Sequence, residues 1–127
     1  MQQGYGQGRY DVVVYGASPA GITAAIQAAK LGKDVVIVER MEVVGGVAIN
    51  TGTIPSKALR EAVVAVMGAG QHISGVTEQL LGRDARLSRV VDYCNRVIKA
   101  EVDLVRSQLV SNGVEIIIGT GSFVDAN

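Results

Sequence analysis

Apolar positions follow two rhythms along this chain. Tyr10–Tyr15 (YDVVVY) and Asp34–Glu39 (DVVIVE) are short, nearly unbroken apolar runs. Such runs predict strands buried on both faces, as in a parallel sheet. Between them, Pro19–Leu31 places Ile22, Ala25, Ile26 and Ala29 on one face at helical spacing. Pro19 suits a first helical turn, and Gly32 is a stop signal. Strand, helix and strand in this order make a βαβ unit with a right-handed crossover.

Past Glu39 the rhythm is lost. Residues 40–53 are Gly-rich and predict irregular structure. Ile54–Met67 then predicts a helix, with Pro55 in its first turn and Ala58, Leu59, Ala62, Val63 and Val66 on one face. Residues 68–84 are mixed and predict a loop with room for a short helix. Leu87, Val90, Val91, Cys94, Val97, Ile98, Val105 and Leu109 mark a long amphipathic helix reaching about Ser111, ended by Asn112-Gly113. Val114–Ile118 predicts a third strand, and Gly119–Phe123 a turn into another extended piece. No internal repeat is visible.

Composition narrows the partners. Lys and Arg balance Asp and Glu at 12 each, so no basic surplus argues for nucleic acid. Five aromatics in 127 residues are too few for a base-stacking surface. No apolar run is long enough for a membrane span. The opening MQQGYGQGRY lacks the apolar core of a signal peptide. Its Gly and Gln content predicts a flexible tail over residues 1–9, followed by one domain over 10–127. The single cysteine cannot form an internal disulfide, which fits a reducing, cytoplasmic setting. Cys94 lies on the apolar stripe of the long helix and reads as a core residue. His72 stands alone and reads as a loop residue.

The candidate chemistry begins at Gly16-Ala17-Ser18-Pro19-Ala20-Gly21, which follows a predicted strand and opens a predicted helix. Glu39 ends the next strand, 18 residues past Gly21. This is the dinucleotide-binding context of a Rossmann-like, doubly wound parallel sheet. Gly16 makes the tight turn, and Gly21 lets the helix pack closely on the sheet. The helix start offers free N–H groups and a positive dipole end to a pyrophosphate. Glu39 offers a carboxylate to a ribose diol. Ser18 departs from the pattern, because the middle position is normally Gly, which lets the backbone approach a phosphate closely. Its hydroxyl is able to donate to a phosphate oxygen instead. The alternative is a plain βαβ turn with an ordinary strand-end carboxylate.

The segment Gly45-Gly46-Val47-Ala48-Ile49-Asn50-Thr51-Gly52-Thr53-Ile54-Pro55-Ser56-Lys57 separates NAD from FAD. It resembles the flavoprotein pyridine nucleotide-disulfide oxidoreductase family, whose pattern here is Gly-Gly-x-Cys-x-Asn-x-Gly-Cys-x-Pro-x-Lys. Gly45, Gly46, Asn50, Gly52, Pro55 and Lys57 match; both cysteines are replaced, by Ala48 and Thr53. The resemblance covers about residues 10–125. It implies FAD at the first nucleotide site, in an α/β FAD-binding domain of which this chain is the N-terminal part. It places cofactor contacts at Gly16, Ser18, Pro19, Ala20, Gly21, Glu39, Arg40, Gly45, Gly46, Val47, Ala48, Gly52 and Lys57. Gly121 matches the residue whose backbone contacts the adenine. Lys57 matches the lysine near the reactive edge of the flavin, a catalytic role in stabilising negative charge there. Its plainer reading is a solvated lysine in a first helical turn.

In that family the two cysteines relay electrons to a disulfide, thiol or metal substrate. Ala48 and Thr53 cannot. The run Thr53-Ile54-Pro55-Ser56-Lys57 with Leu59-Arg60-Glu61-Ala62-Val63 is similar to the soluble pyridine nucleotide transhydrogenase branch, which lacks the active disulfide. The resemblance implies hydride transfer between NADPH and NAD+ by way of flavin N5, with no thiol relay. Two other readings stay open: a dihydrolipoamide dehydrogenase-like disulfide reductase with its cysteines replaced, and a non-catalytic nucleotide-binding module.

Family members are several times longer. They add an NAD(P) domain and a dimerisation domain. The expectation is therefore a truncated or partial chain whose NAD(P) site lies elsewhere in the enzyme. It is not catalytically competent alone, and the full-length protein is a homo-oligomer. In a sheet of order 3-2-1, the first strand is left at the open edge.

Overall fold

Two of the apolar runs become neighbouring parallel strands. β1 (Val12–Tyr15) pairs with β2 (Val35–Glu39), with Val12 opposite Val35 and Tyr15 opposite Val38. The computed structural model describes residues 9–72 and 83–124. In it a third parallel strand, β3 (Glu115–Ile118), lies on the other side of β2, giving the order β1-β2-β3. This is the expected order, with β1 at an edge.

Parallel neighbours need a crossover, and α1 (Pro19–Lys30) provides the first. Ser18 is its N-cap, Pro19 takes the first helical position, and Lys30 sits in the last turn. Pro at that position removes no needed hydrogen bond, and Lys30 faces the negative end of the dipole. The remaining helices are α2 (Gly46–Asn50), α3 (Thr53–His72) and α4 (Arg83–Ser111). α4 stops where the sequence predicts. The Asn112 side chain donates to the Gln108 carbonyl at 2.8 Å, and the Val114 N–H reaches the Leu109 carbonyl at 3.0 Å. These bonds satisfy carbonyls that the helix end would leave open.

The chain divides into two compact units. One comprises the residues up to Val44 together with those from Val105 onward, and holds the sheet and α1. Its core includes Ile22, Ala25, Val35, Val36, Ile37, Val105, Leu109 and Val114. Burial of side chains such as Ile37 and Leu109 stabilises by roughly 1.5–3 kcal/mol each. The other unit runs Gly45–Leu104 and buries Ile49, Ala58, Ala62 and Val90.

Three expectations change. β2 is buried at every position but half-buried Val38, whereas β1 is not buried on both faces: Val13 is 46% exposed and Tyr15 50%. α1 covers the Val14 side of this edge strand, since a Cβ on Gly21 would lie 3.2 Å from the Val14 side chain. The stretch 40–53 is not wholly irregular, because Gly46–Asn50 makes a helical turn. α3 runs five residues past Met67 and includes His72, which is therefore not a loop residue. Residues 119–123 hold no regular element, as expected of a turn after β3. Apart from Arg9, the predicted tail lies outside the described residues, as do 73–82 of the predicted loop.

Candidate nucleotide site

The site in the sheet unit starts from a backbone that only glycine adopts readily. Gly16 has φ +93°, and its N–H donates to the Val38 carbonyl at 2.9 Å, tying the loop to β2. Five residues on, a Cβ at Gly21 would collide with the Gly16 carbonyl oxygen. The turn and the close helix approach are thus one feature, made possible by two glycines.

Ser18 fits this loop without strain. Its φ of −73° and ψ of 166° suit any L-residue, and its Oγ accepts from the Gly21 N–H at 3.4 Å, a long cap bond. Pro19 has no N–H, and the Ile22 N–H is already given to the Ser18 carbonyl at 2.9 Å. The Ala20 N–H lies in the first turn, where a helix supplies no acceptor, and the Gly21 N–H is held only by the long bond to Ser18 Oγ. Ala20 is thus the natural donor to an anion, and Gly21 becomes one if its cap bond is exchanged.

Glu39 does more than wait at a strand end. Its Oε2 accepts the Ala17 N–H at 2.7 Å and its Oε1 the Met41 N–H at 3.0 Å. Only 7% of the residue is exposed. Burial is the largest single influence on this carboxyl and pushes its pKa up. Hydrogen bonds from the Met41, Ala17 and Arg40 backbones, with the positive charge of Arg40, together outweigh it. The net pKa lies below the usual value, and the group is ionised at neutral pH. The carboxylate still has acceptor capacity for a hydroxyl. Ala17 was not among the sequence-predicted contacts. The fingerprint spacing marks its neighbours, and a backbone donor leaves no trace in residue type.

Gly121 belongs to the same unit and is exposed in the segment after β3. The Gly119 N–H donates to the Glu39 carbonyl at 2.8 Å, so this segment starts beside the end of β2.

The second group of predicted residues lies in the other unit. Gly45 caps α2 with φ +106°, and a Cβ there would come within 2.7 Å of Ile49. Gly46 also has positive φ. At the far end of α2, a Cβ on Gly52 would lie 2.9 Å from the Val47 carbonyl oxygen. The Ser56 hydroxyl and N–H both donate to the Gly52 carbonyl, at 2.8 and 3.0 Å, and so link the turn to α3. Ala48 lies within α2, and exposed Thr53 opens α3. Neither position carries a thiol. Lys57 is 77% exposed and stands 3.9 Å from Glu61, one turn along. An exposed pair of this kind contributes little to stability.

A cleft of about 590 Å³ in this unit is lined by α3 and α4 residues including Glu61, Val66, Arg89 and Arg96. It contains none of the predicted contacts. Cys94 is partly exposed. Among the described residues, no three His, Cys, Asp or Glu side chains cluster to hold a metal, and no helix is long and apolar enough to cross a membrane.

The donor set of the sheet unit fits a dinucleotide. The first-turn Ala20 N–H suits a pyrophosphate, the missing Cβ at Gly21 lets the helix start pack on the Gly16 turn, and ionised Glu39 suits a ribose diol.

Comparison with known proteins agrees. The soluble pyridine nucleotide transhydrogenase of Mycobacterium tuberculosis (strain ATCC 25177 / H37Ra) is 48% identical over 117 residues, covering 91% of this chain and 25% of that protein. The protein of that name from Marinomonas sp. (strain MWYL1) is 41% identical over 120 residues, covering 93% and 25%. This chain thus spans about a quarter of the length of the curated relatives it matches. Among solved structures, the HOCl-induced flavoprotein disulfide reductase RclA from Escherichia coli aligns with TM-score 0.64 and 26% identity, over 88% of this chain and 22% of that one. Its Cu(II) complex aligns with TM-score 0.69, again at 26% identity, over 93% and 23%. A family model described as FAD dependent oxidoreductase matches residues 11–120. With the phosphate loop, the strand-end acid and the parallel sheet in place, the chain belongs to the FAD-dependent oxidoreductase family.

Proposed function

We propose that this chain is the FAD-binding portion of a soluble NAD(P)+ transhydrogenase. The observation that supports a dinucleotide site is the Glu39 carboxylate, ionised and held by the Ala17 and Met41 N–H groups beside the Gly16–Gly21 loop; the Gly45–Lys57 resemblance and the FAD dependent oxidoreductase match favour FAD as its occupant. Bound FAD supplies hydride acceptance and donation between nicotinamide nucleotides. In this reading the Ala20 N–H donates to the pyrophosphate and Glu39 accepts from the adenosine ribose, while the resemblance assigns backbone contacts with the cofactor to Gly45 and Gly46. The exposed ammonium of Lys57 offsets the negative charge of the reduced ring.

The transhydrogenase reading is supported by the relatives at 41–48% identity and by Ala48 and Thr53. A disulfide reductase needs two thiols there. The likeness to RclA favours that second reading only at 26% identity, and its cysteine positions are empty of sulfur in this chain. The nicotinamide site is assigned to sequence that these 127 residues do not contain, and the working enzyme to the cytoplasm as a homo-oligomer.

Calorimetric titration of the 127-residue chain with FAD and with NAD+ tests the cofactor assignment. Binding of FAD is expected; tight NAD+ binding without FAD binding overturns it. An assay of NADPH-to-NAD+ transfer by the FAD-loaded chain tests the division of labour, and sustained turnover would contradict it.

A further inference from the structure

We infer that Tyr15 is a positioning residue for the adenine end of the nucleotide site, and that its ring, rather than the nucleotide, is what requires glycine at position 121. This rests on the FAD reading above. Tyr15 is the last residue of β1 and adjoins the phosphate loop at Gly16. A Cβ built on Gly121 would fall within the Tyr15 ring. The Phe123 ring tilts against the same tyrosine, with centroids 5.7 Å apart and planes at 47°.

The sheet order gives this contact its meaning. β3 does not neighbour β1; β2 lies between them. The chain after β3 first touches the end of β2, through the Gly119 N–H and the Glu39 carbonyl. It then crosses to β1, where Gly121 lies against the Tyr15 ring and Phe123 tilts onto it. Tyr15 is thereby a peg that holds the crossing segment over the strand ends, beside Glu39 and the phosphate loop. Val12 and Val14 lie on the opposite face of the strand, and both ring and backbone contacts of the crossing segment fall on Tyr15. The backbone of Gly121 faces the adenine only while the segment keeps this course.

The test is a double-mutant cycle on the 127-residue chain with Tyr15→Ala, Gly121→Ala and both together, and Tyr15→Phe as the conservative control. FAD and ADP affinities are read by calorimetry, and stability by urea unfolding. Gly121→Ala is expected to weaken FAD and ADP alike, by about tenfold, and Tyr15→Ala to weaken both by several-fold. The double variant should bind better than Gly121→Ala alone, because removing the ring makes room for the new methyl group. Tyr15→Phe should bind as the parent does. If Tyr15→Ala gives no relief to Gly121→Ala, the methyl clashes with the nucleotide itself and the inference is overturned. Loss of FAD binding with ADP affinity unchanged also overturns it, as would a Tyr15→Phe variant as weak as Tyr15→Ala. If the parent chain binds neither FAD nor ADP, the FAD reading falls and the positioning role falls with it. The unfolding cycle then separately shows whether Tyr15 and Gly121 are coupled in the fold.

Discussion

Replacing Glu39 by Gln asks whether the strand-end acid holds the phosphate loop before any nucleotide arrives. The carboxylate accepts two backbone N–H groups on two different oxygens, from Ala17 at 2.7 Å and from Met41 at 3.0 Å. Glutamine keeps one accepting oxygen and puts an NH2 where the other stood. One N–H then meets a donor, and the surviving bond loses its charge assistance. A hydrogen bond to a charged group contributes about 1.5–3 kcal/mol, so a loss near 2 kcal/mol is expected. For a chain of this size that corresponds to a melting temperature lower by about 6–10 °C. The pH dependence follows from the lowered native pKa of Glu39. The stability it contributes is fully present above the unfolded-state value of about 4.3. It is lost as pH falls through the native value. Glutamine has no such titration, so the gap between the two proteins should be widest at pH 7 and narrow in acid. Urea unfolding followed by circular dichroism, at pH 7 and between pH 3 and 6, measures both. Equal midpoints at pH 7, or a gap that persists undiminished at pH 3, would refute the reasoning.

Three more outcomes follow from the glycines and from Lys57. Gly21→Ala drives a methyl group into the Gly16 carbonyl and should cost about 1–3 kcal/mol of stability, read by thermal unfolding, with loss of FAD binding. Gly45→Ala combines positive φ with contact on Ile49 and should destabilise by a similar amount, about 1–3 kcal/mol, again visible as a lower melting temperature. Lys57→Met should change stability by less than about 0.5 kcal/mol, because its pair with Glu61 is exposed. In the FAD-loaded chain the same change should lower the flavin reduction potential, measured by dye equilibration, and an unchanged potential would remove Lys57 from the site.

The βαβ unit was legible because its signals are local and agree with one another. A four-residue apolar run, a glycine, a first-turn proline and an acid at the next strand end all point to one arrangement. The run VVVY, however, reads the same whether one face is covered or two, so the exposure of Val13 and Tyr15 stayed hidden even though the edge position of β1 was expected. The turn at Gly46–Asn50 was missed for a different reason: five residues hold too little periodicity to register, and paired glycines argue against helix. The candidate site was legible where a side chain itself supplies the polar group, as at Glu39. It was illegible where a backbone N–H does, as at Ala17, or where one ring excludes a side chain elsewhere, as Tyr15 does at Gly121.

The spacing of the strand partners also bears on how the chain is made. Val12 meets Val35 after 23 residues, but Val36 meets Glu115 only after 79. At a synthesis rate of about 5–20 residues per second, the ribosome needs about 4–15 s to travel from Glu39 to Glu115. Throughout that interval β1, α1 and β2 are able to associate, while the second edge of β2 has no partner strand. That edge is the strand VVIVE, whose first three residues are almost fully buried in the finished fold. The nascent chain therefore carries an adhesive β edge for seconds, long enough for a holdase chaperone to bind it or for a neighbouring chain to pair with it.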